Sequence, residues 1–221
     1  MAAVRAAAEI GADGVEVDVW LSADKHLIVN HDRTHGGLAL PTSTWAELAR
    51  VAPPAELEEV LGAAGSMRVN VEIKAGRSAP YNLEVARTVA RFLDSSTLSS
   101  RCLVSSFSLA ICEEVHRASP ERPVGWLVRR RPARFAIDQV VRSRLTSAHF
   151  SFSRVSRQIA DLASKNGIDL HVWTANLPRD IDRMLDLGVA ALITDDVVLA
   201  QDLRERHRPR PASNDGVDWG S

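Results

Sequence analysis

The chain has 221 residues, a formal net charge of −1, 45% hydrophobic and 25% charged residues. This suits one α/β barrel or one to two smaller soluble domains with a sizeable core. Near-neutral charge gives no invitation to nucleic acid or an anionic membrane, and no apolar run approaches the roughly 20 residues of a membrane helix. The opening Met-Ala-Ala-Val-Arg-Ala-Ala-Ala-Glu-Ile lacks the charged-then-apolar order of a signal peptide, so a cytoplasmic location is expected.

Two cysteines, Cys102 and Cys112, make neither a metal-ligand spacing nor a disulfide framework and are expected as free, half-buried thiols. Of 27 basic residues only Lys25, Lys74 and Lys165 are lysine. Lys25 and Lys165 fall in turn-like surroundings, whereas Lys74 ends an apolar strand, where a compact point charge needs a reason.

In chain order, a helical stretch at Ala2–Ile10 precedes a strand at Asp13–Trp20. A short run, His26–His31, follows closely and pairs locally. Thr44 with Glu47 forms a capping box for Trp45–Val51, and a helix fits Glu56–Ala64. Further strands are read at Arg68–Lys74, Cys102–Phe107, Pro123–Val128, Ser147–Phe152, Asp169–Ala175 and Ala191–Asp195. Helices alternate with them at Asn82–Leu93, Leu109–Ala118 capped by Ser108, Pro132–Val141, Val155–Asn166 stopped by Gly167, Pro178–Leu187 and Val197–Arg206. Strand then helix, repeated, implies a parallel sheet, open or closed. Seven such units follow a helix with no strand before it, as in an eight-stranded barrel missing its first strand. The domain is placed at residues 1–207, with 208–221 a disordered tail.

In the first strand Val15, Val17 and Val19 share one face while Glu16 and Asp18 share the other. Strands of parallel sheets are usually apolar on both faces, and two carboxylates on one of them need a cation or donors. Arg68–Lys74 repeats the pattern: Val69, Val71 and Ile73 oppose Asn70, Glu72 and Lys74. A Glu72–Lys74 ion pair is one explanation; two consecutive strands with inward acids favour a shared site. Three carboxylates without sulfur or paired histidine ligands suit Mg²⁺ or Ca²⁺. His31 closes an apolar run where a strand opens into a loop, and beside such a site it is the candidate for proton transfer. Phe107 and Trp173 also close strands, lining a pocket or packing the core. His171 shares the Trp173 face and is read as core or supporting. Thr194-Asp195 is read as a helix cap, and His26, His35, His116, His149 and His207 carry no signal.

Gly11-Ala-Asp-Gly-Val-Glu-Val-Asp-Val19, His31-Asp32, Val71-Glu-Ile-Lys74, Val104-Ser-Ser-Phe107, Val172-Trp-Thr-Ala-Asn176 and Leu187-Gly-Val-Ala-Ala-Leu-Ile-Thr-Asp195 occur in this order. So arranged, they resemble the glycerophosphodiester phosphodiesterase family. The resemblance implies an α/β fold, a (β/α)8 TIM-type barrel lacking its first β-strand. It also implies hydrolysis of a small-molecule glycerophosphodiester to glycerol 3-phosphate and an alcohol, with a divalent cation. Carried over, Glu16, Asp18 and Glu72 are metal ligands, His31 is one of two catalytic histidines, Lys74 stabilises phosphate charge, and Phe107 and Trp173 face substrate.

The chain also departs from that pattern. The family opens with a strand ending in His-Arg-Gly, followed by Pro-Glu-Asn-Thr, whereas Met1 falls within the first helix. Lys25-His26 replaces an Asp-Gly turn, and the segment after His31 is short. An open barrel leaves strand edges unpaired, so a poorly stable or homo-oligomeric and nearly inactive protein is the expectation. A catalytically impaired remnant that binds metal, phosphate or a protein is the alternative, and an unrelated barrel isomerase a third.

Overall fold

A computed structural model describes residues 1–207; the tail expected at 208–221 lies outside the described residues. In chain order the elements are α1 (Ala2–Glu9), β1 (Gly14–Leu21), β2 (Leu27–Val29), β3 (Thr34–His35), β4 (Leu38–Ala39), α2 (Trp45–Val51), β5 (Ala55–Glu56) and α3 (Leu57–Ala63). There follow β6 (Arg68–Ile73), α4 (Ala79–Ser95), β7 (Cys102–Ser106), α5 (Leu109–Ala118), β8 (Val124–Val128), α6 (Ala133–Arg142) and β9 (Ser147–Ser151). The chain ends on α7 (Arg157–Lys165), β10 (Asp169–Trp173), α8 (Pro178–Asp186), β11 (Ala191–Leu192) and α9 (Val197–His207).

The main sheet runs β11-β10-β9-β8-β7-β6-β1-β2-β5. All pairings from β1 through β6 to β11 are parallel, while β2 returns antiparallel along Val19–Leu21 of β1. Among the described residues no strand joins β11 to β1, so the seven parallel strands expected from sequence form an open sheet. Side chains bring its two ends together instead. Gln201 Nε2 of α9 donates to the Gly11 carbonyl at 2.7 Å, and Arg204 ion-pairs with Asp13.

The alternation read in the sequence decides which face is buried against helices. Val17, Val19, Val69, Val71 and Ile73 point to the helical layer and join one large core with Val85, Val89, Leu93, Ile111 and Val115. Covering both faces is what a parallel sheet requires. Caps follow the sequence: Thr44 and Glu47 form both bonds of a capping box, and the Ser108 hydroxyl accepts from the Ile111 N–H. Gly167, at φ +66°, ends α7 in a conformation that other residues adopt at a cost.

Four details differ from expectation. First, α4 begins at Ala79, earlier than Asn82, because Ser78 caps it and Pro80 suits a first turn. Second, the cysteines are fully buried: the Cys112 thiol lies against the Ser106 and Gly125 carbonyls, and burial pushes its pKa far up. Third, the α9 cap is Asp196, which accepts from the Leu199 N–H, and Thr194 and Asp195 instead bond to Asn176 in the loop after β10. Fourth, α7 starts at Arg157. No helix among the described residues is long and apolar enough to cross a membrane.

Candidate active site

Parallel register places the acids side by side. Asp18 of β1 stands opposite Glu72 of β6, and Glu16 stands opposite Asn70. Valines between them anchor the strands outward, so period-two alternation turns all four polar side chains inward. Glu16, Asp18 and Glu72 each offer a carboxylate oxygen within 4.8 Å of the others. Two ligands at 2.3–2.6 Å from one Ca²⁺ lie at most about 5.2 Å apart, so the cluster is the right size for a hard cation.

Lys74, just past the end of β6, places Nζ 2.7 Å from Asp18 Oδ1 and 2.6 Å from Glu72 Oε1. One ammonium cannot neutralise three carboxylates. Glu16 Oε1 is buried without a hydrogen-bond partner, as are both amide atoms of Asn70 and the Ser105 hydroxyl beside Glu72. Glu72 Oε1 meets Lys74 as an ion pair without the angles of a hydrogen bond.

The titration of these groups records the imbalance. Burial, reinforced by Asp18 and Glu72, pushes the Glu16 carboxyl up to about 8. Glu72 is raised chiefly by burial, with Lys74 opposing. Burial also works against the Lys74 ammonium, but the carboxylates of Asp18 and Glu72 beside it outweigh burial and raise its pKa. Orphaned oxygens, excess negative charge and an all-oxygen donor set fit Mg²⁺ or Ca²⁺ held by Glu16, Asp18 and Glu72.

Phe107 and Trp173 close β7 and β10 at the C-terminal side of the parallel sheet, where barrel chemistry is done. The Phe107 and Trp173 rings pack edge to face, 5.7 Å between centroids, and the Trp126 indole N–H donates to the Phe107 carbonyl at 3.3 Å. The Trp173 indole nitrogen has no partner. His31 stays apart: it is highly exposed and its Nδ1 lies 2.9 Å from Asp32 Oδ1. Asn30 holds this loop, its side-chain amide donating to the Asp32 and Thr34 carbonyls and its backbone N–H to the Asp18 backbone carbonyl. Thus the structure gathers Glu16, Asp18, Glu72 and Lys74, pairs Phe107 with Trp173, and leaves His31 on the rim.

Two features escaped the sequence. Arg129, in the loop after β8, lays its guanidinium over the Phe107 ring at 4.8 Å. His149, unmarked in Ser-Ala-His-Phe-Ser, is fully buried and stacks on His171 at 4.3 Å. The signal for His149 was positional: β9 pairs with β10 so that His149 falls opposite His171.

Fold and site define the class: an α/β protein of largely parallel sheet, with an acidic, cation-sized cluster on the same face of two adjacent strands. Residues 1–199 match the model of the glycerophosphoryl diester phosphodiesterase family, and the chain belongs to that family. A glycerophosphodiester phosphodiesterase of Caldanaerobacter subterraneus subsp. tengcongensis is 28% identical over 219 residues, covering 89% of this chain and 87% of the relative. The solved structure of a glycerophosphodiester phosphodiesterase from Parabacteroides distasonis superposes with a TM-score of 0.82 at 26% identity, covering 93% of this chain and 89% of the other. An Oleispira antarctica phosphodiesterase, solved with sn-glycerol-3-phosphate, has a TM-score of 0.80 at 19% identity, with 92% and 90% covered; that likeness concerns the fold.

Proposed function

We propose that the protein hydrolyses glycerophosphodiesters to glycerol 3-phosphate and an alcohol, using a divalent cation held by Glu16, Asp18 and Glu72. One observation carries this reading: the buried carboxylates of two adjacent strands exceed the charge of Lys74, in a family whose relatives bear that activity in their names.

In the reaction a water oxygen bonds to phosphorus, the bond from phosphorus to the alcohol oxygen breaks, and that oxygen takes up a proton. A bound cation supplies Lewis-acid stabilisation of the phosphoryl oxygens. Lys74, fixed between two carboxylates, adds positive charge where negative charge develops. His31, on the rim next to Asp32, exchanges a proton with the water or the departing oxygen, a contribution of about 10²- to 10⁴-fold. Phe107 and Trp173 form an apolar wall beside the reacting diester.

The test is glycerol 3-phosphate release from glycerophosphoglycerol and glycerophosphocholine, with and without chelator, for the wild type and Glu72→Ala. Chelator should abolish turnover, and Glu72→Ala should lower it by at least about 10²-fold, the scale for removing one transition-state stabiliser. Turnover that survives both sinks the metal site. A folded protein that releases nothing from either substrate in Mg²⁺ or Ca²⁺ sinks the reading.

A further inference from the structure

The loop between β8 and α6 reads Arg129-Arg130-Arg131-Pro132, with Arg134 the second residue of the helix, and all four arginines are exposed. None of them makes an ion pair among the described residues. Unpaired like charges repel at this spacing, and a flexible loop would spread them into solvent.

This loop is instead tied down. Arg154, after β9, donates through Nη1 to the Val128 carbonyl at 2.8 Å and the Arg129 carbonyl at 2.9 Å, and through Nη2 to the Arg131 carbonyl. Its own guanidinium lies 5.5 Å from the Phe150 ring centre. A half-buried arginine thus holds the loop by its backbone, while Arg129 lies over the Phe107 ring, Arg131 lies 5.9 Å from the Phe135 ring centre, and all three loop arginines remain exposed and, among the described residues, without an ion pair.

Arg129 then determines what the aromatic wall can accept. Its guanidinium sits 4.8 Å from the centre of Phe107, while the Trp173 ring packs edge to face on the same Phe107. Quaternary ammonium groups are recognised by open aromatic faces. Here one face is already covered by a cation, so a choline head meets fixed positive charge. An anionic group meets a planar fork of donors suited to phosphate, with Arg130 and Arg131 next in sequence.

We infer that the Arg129–Arg131 loop and the Phe107–Trp173 wall form a subsite for an anionic leaving alcohol, one that carries a second phosphate, and select against choline. This deepens the proposed phosphodiesterase reading and rests on it.

The test uses three probes that share the same glycerophosphodiester and differ in the charge of the alcohol: glycerophosphoglycerophosphate, glycerophosphoglycerol and glycerophosphocholine. Binding to the full chain is measured by calorimetry with Ca²⁺ at low salt, for wild type and Arg129→Gln, and hydrolysis is followed in parallel. The expected order is anionic, then neutral, then cationic, with about tenfold between the first two, the scale of one charge-assisted hydrogen bond. Arg129→Gln should compress the three affinities to within about twofold, and 0.5 M salt should shrink the wild-type gap. Equal affinities, tightest binding of glycerophosphocholine, or an order unchanged by Arg129→Gln overturns the subsite, even if all three are hydrolysed. The expected order without hydrolysis overturns the phosphodiesterase reading and sustains the subsite; no binding of any probe at millimolar concentration overturns both.

Discussion

Two groups of polar side chains face the inside of this sheet, and they solve the problem of burial in opposite ways. On β1 and β6, Glu16, Asp18, Glu72 and Lys74 keep charges that do not balance, and leave oxygens without partners. On β8, β9 and β10, Gly125, Ser147, His149 and His171 make a neutral, close-packed group. There Ser147 Oγ lies 2.9 Å from His149 Nε2 and the two imidazoles stack. A polar residue on an inward strand face therefore does not by itself mark a site. Surplus charge, with room for an ion, does; a neutral ring packed against a missing side chain is architecture.

The largest expected effect tests the surplus charge. A cation that binds only the folded chain stabilises it by mass action, about 2.7 kcal/mol at one hundred times its dissociation constant. Adding Mg²⁺ or Ca²⁺ to chelator-treated protein should raise the melting temperature of the wild type by several degrees. Asp18→Asn should abolish that shift, and His149→Gln should keep it. An equal shift in Asp18→Asn would remove the contrast between the two regions.

A second experiment presses on the packed group. A Cβ added at Gly125 would lie 2.1 Å from His149 Nε2 and 2.4 Å from Ser147 Oγ, and both of these side chains are buried. Gly125→Ala should therefore cost about 1–3 kcal/mol in urea unfolding, the range for overpacking a core, while leaving the cation-induced shift intact. Loss of less than about 0.5 kcal/mol, an ordinary surface effect, would show that the histidine pair is loosely held.

The contrast also explains what could be read from sequence. Glu16, Asp18, Glu72 and Lys74 were legible because each interrupts a valine or isoleucine alternation on its own strand, and charge in that position has few innocent explanations. The strand and helix order was legible for the same periodic reason, down to the Thr44–Glu47 cap. His149 was not, since Ser-Ala-His-Phe-Ser alternates weakly and the partner that gives the ring meaning lies on β10. Arg129 was hidden differently: a run of arginines after a strand reads as solvated surface until Arg154 and Phe107 are seen to fix it. Pairings across strands are decided by register, which local pattern does not carry.

The last comparison separates the two regions by pH. Burial, with His171 adding to it, holds His149 well below the usual imidazole value; His171 is lowered too, chiefly by burial, with Arg68 adding and Asp169 opposing. Below about 6.5 the unfolded chain takes up protons on both rings that the folded chain refuses, so stability falls on acidification, by up to about 1.4 kcal/mol per pH unit for each ring. Glu16 acts with the opposite sign. With no cation bound its carboxyl is pushed up from 4.5 to about 8, so between those values the folded chain holds a proton that the unfolded chain has released. Stability in chelator therefore falls as pH rises through that window. Above pH 6.5 the rings drop out, and below it the two groups oppose each other. In urea unfolding from pH 5 to 8, Glu16→Gln should shrink the loss between 6.5 and 8 and steepen the loss on acidification. His149→Gln should change the slope only below 6.5, making it shallower. A His149→Gln profile altered above pH 6.5, or unaltered below it, would mean that the stacked ring is charged or wet in the folded protein, and the two regions would then be two versions of one electrostatic site.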